Sequence, residues 1–85
     1  MDLKTQFETA VTESKQLAEK PSNDILLQLY SLFKQATEGD VSGDPPSNPF
    51  DIVNRAKYEA WSSQKGKTSD EAMKEYVDLV ARLKG

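Results

Sequence analysis

The sequence predicts an all-α fold of four helices, and three observations carry that prediction. Apolar residues recur at the 3.6-residue period in four separate segments. Pro, Gly and capping residues stand at the joints between those segments. No stretch alternates apolar and polar residues in the way a half-buried strand does.

The first segment sets Leu3, Phe7, Ala10, Val11, Leu17 and Ala18 along one helical stripe. Lys20-Pro21 is expected to end it, because the residue before a proline is pushed out of the α region. Ser22 is placed to cap a second helix over about Asn23 to Glu38, with Asp24 at its positive end. Its apolar residues Ile25, Leu26, Leu27, Leu29, Tyr30, Leu32, Phe33 and Ala36 cover more than one stripe. Such a helix either sits centrally or lines a ligand groove as well as a core. Gly39 stands where a left-handed cap would stop it.

The stretch from Asp40 to Asn48 gathers Gly43, Pro45 and Pro46 with Ser and Asp and reads as one long loop. Asn48-Pro49 suits an N-cap followed by proline in the first turn, so a third helix is expected over roughly Pro49 to Gln64, with Phe50, Val53, Ala56, Ala60 and Trp61 at helical spacing. Lys65-Gly66-Lys67 breaks it. Thr68, with Glu71 three residues on, forms a capping-box signature for a fourth helix reaching about Lys84. Ala72, Met73, Tyr76, Val77, Val80 and Leu83 supply its inward face.

Eighty-five residues fit a single domain over 1–85, and composition narrows what it can do. With no Cys and no His, thiol chemistry, the usual zinc sites and any Ser-His or Cys-His nucleophile are excluded. No cofactor or metal is expected. A net charge of −3 disfavours general attraction to nucleic acid. No apolar run approaches the ~18 residues of a membrane span, and the N-terminus has neither a basic nor an apolar block of a secretory signal, so a cytoplasmic monomer without membrane insertion is expected. Carboxylate neighbours such as Glu38 and Asp40, or Asp70 and Glu71, lie at helix ends, where capping and the macrodipole account for them better than acid–base catalysis. Gly39 and Gly43 lack the strand-turn-helix context of a phosphate loop.

Tyr30, Phe33 and Lys34 fall at offsets of 3 and 4 and share one helical face. A planar base can lie on such a ring while the lysine meets a phosphate; the competing reading is core aromatics beside a solvated lysine. Lys15 and Lys57 belong to other helices, and spacing alone does not bring them to Lys34.

These residues carry a family resemblance. The segment Tyr30-Ser31-Leu32-Phe33-Lys34-Gln35-Ala36-Thr37-Glu38-Gly39-Asp40 resembles the signature of the acyl-CoA-binding protein family. The similarity extends upstream to Lys20-Pro21 and Phe7, and downstream through Ala56-Lys57-Tyr58-Glu59-Ala60-Trp61, Lys65-Gly66 and Asp70 to Tyr76. The resemblance implies an up-down-down-up four-helix bundle whose long connection joins helices two and three. It implies that Tyr30, Lys34 and Lys57 hold the 3′-phosphate of coenzyme A, that Phe33 meets the adenine, that Val11 and Lys15 lie at the head group, and that Tyr76 closes on the ligand. Leu26 and Leu27 fall where the family lines its acyl groove. Phe33 lacks a hydroxyl often found at that position, Val11 is bulkier than usual, Tyr58 replaces a common Trp, and the loop from Asp40 to Phe50 is about one residue longer. The function implied is that of an intracellular carrier and pool former for long-chain acyl-CoA, with no bond made or broken. The rival reading is a helical interaction module taking an amphipathic partner helix.

Overall fold

The computed structural model describes residues 2–85 and contains four helices, α1 (Leu3–Ser14), α2 (Asn23–Glu38), α3 (Ile52–Ser62) and α4 (Ser69–Lys84), with no strand among the described residues. Helices α2 and α4 begin on the caps read from the sequence, Ser22 and Thr68, and Asp2 caps α1. Asp2 accepts from the Thr5 amide at 2.7 Å, and Ser22 accepts from the Ile25 amide at 3.4 Å. Thr68 and Glu71 close a full capping box, each side chain accepting from the other's backbone N–H at 3.1 Å. The bounds of α2 agree with the sequence reading, and α4 ends at Lys84 as expected.

Helix α1 stops at Ser14, well before Lys20-Pro21. The cause is local. The Ser14 hydroxyl donates to the Val11 carbonyl at 2.7 Å, and the amides of Lys15 and Gln16 bond three residues back rather than four, to Thr12 and Glu13. The helix tightens into a turn and ends. Leu17 remains half-buried without being helical, in a recess shared with Leu83, so tertiary packing rather than helical phase accounts for its apolar character.

Helix α3 is also shorter than expected. Asn48 does not cap it: its side chain accepts from the Phe50 amide at 2.9 Å and its carbonyl from the Asp51 amide at 3.1 Å, which makes Pro49-Phe50 a turn. Asp51 is the cap, accepting from the Asn54 amide. At the far end the amides of Gln64 and Lys65 bond three residues back, so the segment after Ser62 is turn rather than helix.

Gly39 ends α2 with φ 81° and ψ −153°. The positive φ was expected, but this ψ lies outside the left-handed helical basin, in a region that essentially only glycine enters. The chain leaves the helix extended instead of curling back. Three bonds then pin the loop: Trp61 Nε1 donates to the Gly39 carbonyl at 2.8 Å, the Tyr58 hydroxyl to the Gly43 carbonyl at 2.9 Å, and the Gly66 amide to the Asp40 carboxylate at 2.9 Å.

The core consists of Phe7 and Ala10 from α1, Leu29, Leu32 and Ala36 from α2, and Ala72, Tyr76, Leu79 and Val80 from α4. Helix α3 contributes no buried residue. It packs on α2 alone, so α2 lies between α3 and α4, which explains its wide apolar surface. The apolar stripe read for the third helix is only half used. Ala56, Ala60 and Trp61 are half-buried, whereas Phe50, Ile52 and Val53 are 87%, 74% and 65% exposed. Those residues precede or begin α3, where the late cap leaves them beyond the reach of α2.

Paired contacts fix the helix directions. Tyr30 meets Lys57 and Lys34 meets Trp61, a constant offset that makes α2 and α3 parallel. Phe7 meets Tyr76, and Glu13 pairs with Lys84 at 2.6 Å, so α1 and α4 are parallel. Gln35 reaches the Lys67 carbonyl while Tyr30 and Tyr76 share a recess, which sets α2 antiparallel to α4. The order is up-down-down-up. Gln35 is fully buried where these elements meet, and its amide donates to Asp40 and to the Lys67 carbonyl, both at 2.8 Å. One side chain thereby fastens the end of α2, the loop and the α3–α4 connection.

Candidate functional site

The candidate site lies where α1, α2 and α4 converge and continues across α2 to α3. Val11, Lys15, Leu29, Tyr30, Phe33 and Tyr76 line one open recess of about 280 Å³. Five of these were singled out from sequence, and Leu29 was not. Phe33 is 37% exposed and stacks on Phe7 with ring centroids 5.9 Å apart and planes 25° apart. Phe7 in turn meets the Tyr76 ring edge-on at 5.1 Å. One buried ring therefore braces two of the three aromatic members of the recess, Phe33 and Tyr76. Val11 and Phe33 also line a neighbouring recess of about 430 Å³ with Lys4, Ala36 and Met73.

Lys15 is exposed and caps the C-terminus of α1, where its charge opposes the negative end of the helix. It lines the recess from the end of α1. Tyr76 is buried, in keeping with its place on the inward face of the fourth helix, and its hydroxyl lies 3.1 Å from the Ser14 hydroxyl. That oxygen therefore has a protein partner at the edge of the recess. Ser14 carried no signal in the sequence, since an isolated serine in a helix is ordinary.

The lysines divide. Lys57, on α3, holds its ammonium 5.3 Å from the centre of the Tyr30 ring, next to the recess. Lys34 points the other way along α2. Its ammonium lies 5.4 Å from the centre of the Trp61 ring and pairs with the carboxylate of Glu38, one turn on. The hydrogen bond from Lys34 to Glu38 holds its ammonium above the ordinary lysine value, with the carboxylate charge adding to the effect. The structure thus brings Tyr30 and Lys57 together and gives Lys34 a different neighbour. Glu38 and Trp61 were missed as members of this arrangement, although both sit four residues beyond a lysine already chosen. Leu26 and Leu27 are half-buried on the first half of α2 and do not line the recess.

The carboxylates at the helix ends are occupied structurally. The Thr5 amide bonded to Asp2, the Gly66 amide bonded to Asp40 and the Thr68 amide bonded to Glu71 hold all three carboxyls below the usual range. Among the described residues no group of three or more Asp, Glu, His or Cys is arranged to hold a metal ion. No helix among them is long and apolar enough to cross a membrane.

Comparison with known proteins returns the same fold. A family model described as Acyl CoA binding protein matches residues 4–80. The chain belongs to the acyl-CoA-binding protein family. It is 48% identical to acyl-CoA-binding protein homolog 1 of Caenorhabditis elegans, over 91% of this chain and 88% of the relative. It is 45% identical to an acyl-CoA-binding protein of Brassica napus, over 98% and 89% of the two chains. Among solved structures it is similar to Oryza sativa acyl-CoA-binding protein 2, with a TM-score of 0.90 and 38% identity over 96% of this chain and 90% of that one. Family and fold together support acyl-CoA binding. A match to rat enoyl-CoA delta isomerase 2 covers only 19% of that protein, so its catalytic title does not extend to this chain.

Proposed function

We propose that the protein binds long-chain fatty acyl-CoA and acts as a monomeric carrier and pool former for it. The observation that carries this reading is the Lys57 ammonium set over the Tyr30 ring, beside a recess lined by Phe33 and Lys15. A planar base on Phe33 leaves the phosphate of its ribose near cations from α1 and α3. Lys57 and Lys34 supply charge-assisted hydrogen bonds to that 3′-phosphate, and the Tyr30 hydroxyl supplies a neutral one. Val11 and Lys15 flank the head group, and Tyr76 forms the wall on the α4 side. The acyl chain runs along Leu26 and Leu27, level with the start of α3. Each methylene removed from water there contributes about 0.8 kcal/mol, less the cost of ordering the chain.

Nothing in this scheme requires a nucleophile, and the bound thioester is shielded rather than cleaved. Calorimetric titration with palmitoyl-CoA and with palmitate tests it. Tight binding of the ester and weak binding of the free acid are expected, because the acid offers the chain without the phosphate. Equal affinities would refute the head-group part of the reading.

A further inference from the structure

Lys34 and Glu38 share the face of α2 that also carries Tyr30, at successive turns of the helix. The pairing between them is unusual for a helix-stabilising contact. The lysine precedes the glutamate, which is the weaker order for an i,i+4 pair. Glu38 is also the last residue of α2, where a negative charge faces the negative end of the helix and α2 has no basic residue in its last turn. Helix stability therefore gains little from this carboxylate. What it does have is the ammonium of Lys34, drawn toward the C-terminal end of α2 and laid on Trp61, while Lys57 stays on Tyr30 one turn back. Among the described residues Lys57 forms no ion pair.

We propose that Glu38 is an affinity-setting residue: its carboxylate competes with the ligand phosphate for the Lys34 ammonium, lowering affinity and hastening release. The inference rests on the assignment of Lys34 to the 3′-phosphate. A carboxylate tethered one turn away acts as an intramolecular competitor that dilution does not remove. A phosphate of charge about −1.5 to −2, shared with Lys57 and Tyr30, displaces it on binding. On release Glu38 recaptures the lysine. Lys34 then moves between two anions over a short arc, with the Trp61 ring as a platform for its cation along the way. A carrier gains from such a device, because it must surrender its cargo as readily as it takes it.

The test compares wild type, Glu38→Gln, Lys34→Ala and the double variant, each titrated with palmitoyl-CoA and with its 3′-dephospho analogue, with dissociation followed by stopped flow. Glu38→Gln is expected to bind palmitoyl-CoA about two- to fivefold more tightly at low salt, chiefly through slower dissociation, and the gain should shrink as ionic strength rises. Its affinity for the dephospho analogue should not change, and the gain should vanish in the Lys34→Ala background. The thermal midpoint of Glu38→Gln should hold or rise slightly. If Lys34→Ala weakens binding only of the 3′-phosphorylated ligand while Glu38→Gln alters nothing, or alters both ligands alike, the competing role of Glu38 is overturned and the phosphate assignment stands. If Lys34→Ala costs the same with both ligands, the phosphate assignment itself is wrong and the role of Glu38 falls with it.

Discussion

Replacing Lys57 with Ala should weaken acyl-CoA binding about 10- to 150-fold while leaving the bundle folded. The range follows from the interaction removed. A hydrogen bond from a charged donor is worth about 1.5 to 3 kcal/mol, and each ~1.4 kcal/mol is tenfold in affinity. The cost to stability is set by a different contact, the Lys57 ammonium 5.3 Å from the centre of the Tyr30 ring. At a half-exposed site that interaction contributes about 0.5 to 1 kcal/mol. For a domain of this size 1 kcal/mol shifts the unfolding midpoint by about 4 to 8 °C, so thermal unfolding should fall by no more than that. Helix α3 contributes nothing to the buried core, so a loss at Lys57 leaves Phe7, Leu32, Ala36 and Val80 undisturbed. The assay is a double-mutant cycle by calorimetry: wild type and Lys57→Ala, each against palmitoyl-CoA and the 3′-dephospho analogue. The substitution should cost far less with the dephospho ligand, since the partner charge is already absent. Identical losses with the two ligands would show that Lys57 does not touch that phosphate, and the clamp drawn from α2 and α3 would be refuted.

Affinity should also rise with acyl length by about 0.5 to 0.8 kcal/mol per methylene until the apolar path along Leu26 and Leu27 is filled; equal dissociation constants for acetyl and palmitoyl esters would exclude a buried chain. Trp61→Phe should destabilise the fold by about 0.5 to 1.5 kcal/mol, read by urea unfolding, because it removes the bond from the indole to the Gly39 carbonyl and frees the start of the long loop. Folding stability should fall in acid. Asp2, Asp40 and Glu71 have carboxyls lowered by backbone N–H donors, so their contribution is fully present above the usual carboxylate range and is lost as pH drops through their folded values. Asp40→Asn should flatten that acid limb, and an unchanged slope in unfolding measured against pH would show that the Asp40 carboxylate does not hold the loop.

The sequence by itself determined the number of helices, their order and most of their beginnings, because these depend on neighbours within four residues. Ser22, Thr68 and Glu71 cap through contacts three residues away, and the apolar period of α2 and α4 needs no partner to be seen. It also carried, through the run from Tyr30 to Asp40, the family to which the chain belongs. The failures of local reading came where two local signals compete. Asn48 and Asp51 are both good caps, and the Asn48 turn decides for the second. The stripe through Leu17 continues the phase of α1, yet Ser14 bonds back to the Val11 carbonyl and the helix ends.

Only the tertiary structure decided which of the candidate site residues meet. Lys15, Tyr30 and Tyr76 come from three helices, and only their packing puts them on one recess. That packing depends on Phe7, whose ring braces Phe33 and Tyr76 at once. The partners of the two lysines, Tyr30 for Lys57 and Trp61 for Lys34, follow from the parallel register of α2 and α3. No pattern along the chain encodes that register. At the end of α2, Gln35 is buried with its amide donating to Asp40 and to the Lys67 carbonyl, three points that meet only once the chain has folded.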